Sequence, residues 1–168
     1  VRSDVPVGIS LSGGLDSSAI LACLKKLNKE FLLEAFSVRF NENSESKHSE
    51  DYWINKVADF YKIPLTMETY NEEDLLKDIA PMIWYTEGPL GGVMNLGRAK
   101  IMKNARENGI KVMLDGTGLD ECYAGYQLHH DLYLCEQIKG NNKNLNKLIH
   151  DYSTNWNIEE KQVLKKLK

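Results

Sequence analysis

The chain has 168 residues, 42% of them hydrophobic and 27% charged, with a net charge of −3. That suffices for one ordinary core, and the near-neutral balance, with no basic stripe at helical spacing, argues against a nucleic-acid partner. No apolar run approaches the roughly 18 residues of a membrane span, so no membrane partner is expected. The start, VRSDVPVG, has neither an initiator methionine nor a signal-peptide layout, and reads as cut from a longer chain. Cys23, Cys122 and Cys135 form no C-x-x-C pair, which fits packing thiols in a reducing, cytoplasmic setting. His48, His129, His130 and His150 show no metal-ligand spacing.

In chain order, Val5 to Leu11 is an apolar, β-rich strand. Ser17 to Leu27 carries Ile20, Leu21, Leu24 and Leu27 at helical spacing, with lysines at its end where they suit the helix dipole. Leu32 to Phe40 is a second strand, and the polar run NENSESKHSE is a loop and helix start. A helix from Glu50 to Tyr61 is predicted to bury Trp53, Ile54, Val57, Ala58 and Tyr61 on one face. After Pro64, Leu65 to Tyr70 alternates as a third strand, and Glu72 to Trp84 is helical. YTEGPLGGVMN is a Gly/Pro-rich loop, and Leu96 to Asn108 is a helix stopped by Gly109. Lys111 to Asp115 is a fourth strand, followed by GTGLDE and an aromatic helix. KGNNKNLNK reads as a polar loop, and Ile158 to Lys168 as a lysine-rich amphipathic helix. The domain boundary is expected between 139 and 140, with a core over 1–139 and a helical extension over 140–168.

Strands alternating with helices predict an α/β fold with a parallel sheet covered on both faces. Ligands of such sheets sit beyond the carboxyl ends of the strands, where the strand order switches. Two glycine-rich turns, 12–16 and 116–119, directly follow strands and would share that rim.

In SGGLDSS, Gly13 and Gly14 let backbone N–H groups converge on an anion, and the following helix adds its unpaired amides and positive dipole end. Ser12, Ser17 and Ser18 supply hydroxyls. Asp16 would repel a phosphate unless a cation lay between them, which implies Mg²⁺. The plain alternative is a strand-to-helix turn with Asp16 or a serine as N-cap. The lysine of the common phosphate loop is missing, since Lys25 lies more than two helical turns on. G-x-S-x-G fails at Ser12, and G-x-G-x-x-G does not occur. In DGTGLDE, Gly116 and Gly118 again allow close backbone approach, and Asp120 is a second candidate ligand for the same or a neighbouring ion. Its plain alternative is a helix start with acids that suit the dipole.

SGGLDSS after a strand resembles the pyrophosphate loop (PP-loop) of ATP pyrophosphatase-type enzymes. Together with VPVGISLSGGLDSS and VMLDGTGLDECYAGY, it is similar to the synthetase domain of the glutamine-dependent asparagine synthetase family, over about Val1 to Tyr126. EDYWINKVA looks like that family's second helix, and EGPLGG like its substrate-side loop. The resemblance implies a fold of the adenine nucleotide alpha-hydrolase type. It also implies ATP and Mg²⁺ as cofactors, and a small-molecule carboxylate that attacks the α phosphorus to give an acyl-adenylate and PPi. Ammonia from an amino-terminal glutaminase domain, not present in these 168 residues, would then displace AMP. By position, Ser12, Gly13, Gly14, Ser17 and Ser18 would hold pyrophosphate, with Asp16 and Asp120 on Mg²⁺. Leu11 and Val38 would contact the adenosine, and Asp115 and Gly116 the nucleotide. Without the family, Leu11 and Val38 read as plain core residues.

Thr117 stands at a candidate catalytic position where asparagine synthetases often carry Glu, which leaves the acceptor open between aspartate and a sugar, peptide or secondary metabolite. The family's later catalytic lysine and substrate helices would lie beyond residue 168, so the chain alone is expected to be incomplete and not to turn over. A sulfur transferase acting on tRNA would want paired cysteines and a basic face. A non-catalytic nucleotide-binding module would leave the second acidic turn unexplained.

Overall fold

The structure is a computed structural model that describes residues 3–27, 33–39 and 50–166. The predicted loop over 41–49 and the strand ends at Leu32 and Phe40 lie outside the described residues. Four strands are present among them, β1 (Val7–Ser10), β2 (Leu33–Arg39), β3 (Leu65–Thr69) and β4 (Val112–Leu114). The helices are α1 (Leu15–Leu27), α2 (Glu50–Tyr61), α3 (Glu72–Thr86), α4 (Val93–Glu107), α5 (Leu119–Tyr123), α6 (Gln127–Lys139), α7 (Leu145–Trp156) and α8 (Glu160–Lys166).

The strands form one parallel sheet in the order β3-β2-β1-β4, with Val7 opposite Leu33 on one side and Val112 on the other. Alternation along β1 and β2 sorts the side chains to two faces. Val7, Ile9, Leu11, Leu33 and Ala35 meet Leu21 and Leu24 of α1 and Ile54 and Ala58 of α2. Phe36 and Val38, of opposite parity, meet Ile101 and Ala105 of α4 with Ile110 and Met113. Burying an aliphatic side chain of this kind contributes about 1.5–3 kcal/mol, so these few contacts anchor each helix to the sheet. This is the predicted α/β architecture with both faces covered. The chain steps outward from β1 through β2 to β3, then crosses back to place β4 on the far side of β1. The strand order therefore reverses between β1 and β4.

Several elements differ from expectation in instructive ways. Trp53 is 49% exposed, because Ile54 and Ala58 define the buried stripe of α2 and Trp53 lies one helical step off it. Its ring stands edge-on to Tyr52, with centroids 5.2 Å apart. α3 runs on to Thr86 through Pro81, with Asn71 as N-cap accepting from the Asp74 amide at 2.9 Å. Residues 93–95 of the predicted loop form the first turn of α4, behind the Gly92 cap.

The described residues divide into two compact units, 1–116 and 117–168. In the second, Leu134 of α6, Ile149 and Tyr152 of α7 and Val163 of α8 form one core. The break between these two units falls at 116/117, and α6 shares its core with the two helices that follow. α7 itself was not expected. The polar run KGNNKNLNK ends inside its first turn, and its apolar residues Leu145, Leu148, Ile149, Tyr152 and Trp156 follow at helical spacing.

Candidate functional site

The loop between β1 and α1 sits at the switch point of the sheet, where ligands of open α/β sheets bind. Leu11, 1% exposed, extends the ladder by donating its amide to the Phe36 carbonyl at 3.0 Å. The chain then leaves the sheet, and the hydroxyl of Ser17 holds it. That group accepts from the Ser12 amide at 3.2 Å, shares a hydrogen bond with Ser12 Oγ at 3.1 Å, and donates to the Gly14 carbonyl at 3.4 Å. Ser12 Oγ in turn accepts from the Gly14 amide at 3.3 Å. The Gly14 carbonyl also receives the Ser18 hydroxyl at 2.7 Å and the Ser18 amide at 3.2 Å. Ser17 is 3% exposed, so its hydroxyl serves the loop's own geometry, whereas Ser12 and Gly14 are exposed.

The bond from Ser18 N to Gly14 O is the first of the helix, so the amides of Leu15, Asp16 and Ser17 precede the intrahelical ladder. Such amides, with the positive end of the helix dipole, are the elements of an anion site. Gly13 has φ +71°, and a Cβ there would stand 2.9 Å from the Ile54 amide nitrogen and 3.0 Å from the Glu50 carbonyl. Glycine is thus required twice, for the left-handed backbone and for the approach of α2. A Cβ at Gly116 would meet Asp16 Cβ at 3.0 Å and Ser17 N at 3.1 Å. Gly116, directly after β4, therefore stands against the first turn of α1.

Asp115 stands just before Gly116, with Arg98 Nε of α4 at 3.9 Å from its carboxylate. Val38 is partly buried and packs against the core of Phe36 and Ile101. Leu11 thus sits in the core, whereas Val38 lies at its edge, partly buried. Thr117 and Asp120 belong to the second unit. There Thr117 is exposed, and Asp120, half-buried, lies in the first turn of α5. The sequence carries no signal for two of these contacts, Arg98 with Asp115 and Gly13 with α2, because each joins elements far apart in the chain.

Among the described residues no group of three or more His, Cys, Asp or Glu side chains is placed to hold a metal. Mg²⁺ at a phosphate site keeps several waters and takes only one or two carboxylates beside phosphate oxygens. Asp16, next to the first-turn amides of α1, fits that donor set. Cys23 and Cys122 are exposed, and Cys135 is half-buried, so the first two are not packing thiols. A separate cavity of about 470 Å³ opens between α3 and α4, lined by Asp74, Asp78, Met82, Tyr85, Lys100 and Lys103 among others. No helix among the described residues is long and apolar enough to cross a membrane.

Over 139 residues the chain is 33% identical to a protein of Methanocaldococcus jannaschii provisionally named asparagine synthetase (glutamine-hydrolyzing) 2, covering 83% of this chain and 26% of that protein. It is 29% identical over 138 residues to amidase chry2 of Gibberella zeae, covering 75% and 20% respectively. The chain thus spans about a quarter or less of these relatives. Among solved structures, the NH3-dependent NAD synthetase of Campylobacter jejuni matches with a TM-score of 0.47 at 14% identity, covering 74% of this chain and 53% of that one. A family model described as asparagine synthase matches residues 1–168. The chain belongs to the asparagine synthase family.

Proposed function

We propose that this chain is the nucleotide-binding part of an ATP-dependent ligase that activates a carboxylate as an acyl-adenylate and passes it to ammonia. The observation that carries the reading is the loop from Ser12 to Ser18 at the switch point, closed by Gly116 and followed at once by the amino terminus of α1. A phosphate loop without lysine grips through backbone and hydroxyls, which suits a pyrophosphate that must leave after the α–β bond breaks. The Ser12 hydroxyl and the first amides of α1 would hold the β and γ phosphates, and the buried Ser17 hydroxyl would keep the loop in shape. The rim over Leu11, Val38, Asp115 and Gly116 would seat the adenosine and the α phosphate.

Asp16 and Asp120 would hold Mg²⁺, which when bound supplies charge neutralisation between carboxylate and phosphate oxygens. The acceptor carboxylate must approach the α phosphorus opposite the pyrophosphate, and Thr117 is proposed to orient it. Aspartate with glutamine-derived ammonia is the family's ordinary substrate pair. A second reading, amidation of another acid, is favoured by threonine at 117 and by a relative named an amidase.

The test is carboxylate-dependent ATP–PPi exchange by the complete protein over a panel of acids, with aspartate included. Exchange with one acid identifies the acceptor, and Asp16→Ala should reduce it about 100-fold or more by removing the metal-side carboxylate. Undiminished exchange in Asp16→Ala would overturn the metal role, and no exchange with any acid would overturn adenylation.

A further inference from the structure

We propose that Gly125 is the positioning residue for Asp120. The missing side chain at 125 is the space in which the Asp120 carboxylate rests, and this seat fixes where the Asp120 side chain lies in the turn. The inference rests on the metal role proposed above for Asp120.

The geometry is confined to one short turn. α5 ends at Tyr123, and Ala124 caps it in the left-handed region with φ 56° and ψ 42°. The position that would ordinarily favour glycine is therefore held by alanine. Gly125, the next residue, does not have a positive φ. Its lack of a side chain is not explained by the backbone. It is explained by the neighbour: a Cβ at 125 would overlap Oδ1 of Asp120, and would stand 2.8 Å from its Cγ and 3.1 Å from its Cα.

Gly125 is tied to Asp120 through the backbone as well. Its amide donates to the Asp120 carbonyl at 2.8 Å, closing the end of α5, so the backbone of 125 is tied to the residue whose side chain it supports. The flanking residues are fixed as well. The Ala124 carbonyl lies 2.8 Å from His130 Nε2, and the Tyr126 hydroxyl donates to the Glu121 carboxylate at 3.0 Å. That last bond separates the two adjacent acids. One Glu121 oxygen accepts from Tyr126, whereas the Asp120 carboxylate is laid against the backbone of Gly125. A carboxylate held in one rotamer by contact loses less freedom on binding a cation than one that samples several.

A two-part experiment on the full chain tests this. In thermal melts, Gly125→Ala should lower Tm by about 5 °C or more, and Asp120→Ala in the same chain should restore most of that loss by removing the atoms the new Cβ meets. In Mn²⁺ water-proton relaxation with ATP as the probe, Gly125→Ala and Asp120→Ala should each weaken Mn²⁺·ATP binding about tenfold. The double variant should be no weaker than Asp120→Ala alone. If Asp120→Ala weakens Mn²⁺·ATP binding and Gly125→Ala does not, the positioning role is overturned while the metal role stands. If Asp120→Ala leaves Mn²⁺·ATP binding as in the unaltered chain, the metal role falls and the proposal with it. A Gly125→Ala chain as stable as the parent, or one not rescued by Asp120→Ala, overturns the seat itself.

Discussion

Gly13 and the buried Ser17 shape the loop after β1, and each does so by a different physical route. Gly13 combines a left-handed φ with contact to the backbone of α2, so Gly13→Ala meets two penalties at once. The left-handed backbone alone costs alanine about 1–2 kcal/mol, and the overlap with the Glu50 carbonyl and Ile54 amide adds to it. We expect urea denaturation of Gly13→Ala to show a loss above about 2 kcal/mol; a midpoint unchanged from the parent would mean α2 can shift away at no cost. Ser17 works from inside. In the sequence Ser17 and Ser18 are adjacent hydroxyls of equal promise as phosphate donors, and only burial separates them. The residue types expected at the rim were readable because anion binding needs glycines, hydroxyls and a helix start in one order. Which hydroxyl is buried depends on how the loop folds over Ser12 and Gly14, which residue types do not reveal.

At the level of elements, β3, α3 and α4 are joined by a small polar cluster rather than by apolar side chains alone. Tyr70, 1% exposed at the end of β3, donates its hydroxyl to Asp78 at 2.8 Å. Lys100 of α4 lies 2.9 Å from Asp74 and 5.1 Å from the centre of the Tyr70 ring. Burial first, then the hydrogen bond to Asp78 and the charges of Asp78 and Asp74, raise the Tyr70 hydroxyl well above its ordinary value. Above about pH 10 the unfolded chain therefore loses this proton while the native chain keeps it, so stability is intact below that pH and falls above it. Asp74 runs the other way. Its hydrogen bond to Lys100 is the main cause holding it below the usual carboxylate value, so its contribution is lost as pH falls through the acid range. Tyr70→Phe should flatten the alkaline limb of a stability–pH curve and leave the acid limb in place; an unchanged alkaline limb would show that other tyrosines set it. The strands and most helices of this half could be read from apolar periodicity. α7 could not, because four asparagines and three lysines precede its first buried residue, Ile149, and imitate a loop. Trp53 misled for the converse reason, since a large apolar side chain one step off a helical stripe counts as buried in any periodicity.

For the molecule as a whole, the decisive feature is that the two compact units draw on different cores. The sheet unit buries Val7, Ile9, Leu33, Ile54 and their neighbours on one face and Phe36, Ile101 and Ala105 on the other. The second unit relies on four buried residues, Leu134, Ile149, Tyr152 and Val163, with Trp156 and Ile158 packed beside them. Polar contacts reinforce this small core, since the Tyr152 hydroxyl donates to Asp131 and accepts from Gln127 at 2.9 Å. A core of four residues has little redundancy. Leu134→Ala removes one of them and should cost about 2–5 kcal/mol, a large share of what so small a unit can hold. The proposed chemistry depends on both units, with Asp16 in one and Asp120 in the other, so selective loss of the second is informative. Hydrogen exchange followed by mass spectrometry should show Leu134→Ala exposing amides over 117–166 while those of β1 and β2 keep their protection. In the same variant, binding of pyrophosphate alone should persist, because the loop from Ser12 to Ser18 remains folded, whereas its dependence on Mn²⁺ should weaken. Joint loss of protection across both units would instead make the chain one cooperative body, and the second acidic turn would then be as rigidly framed as the first.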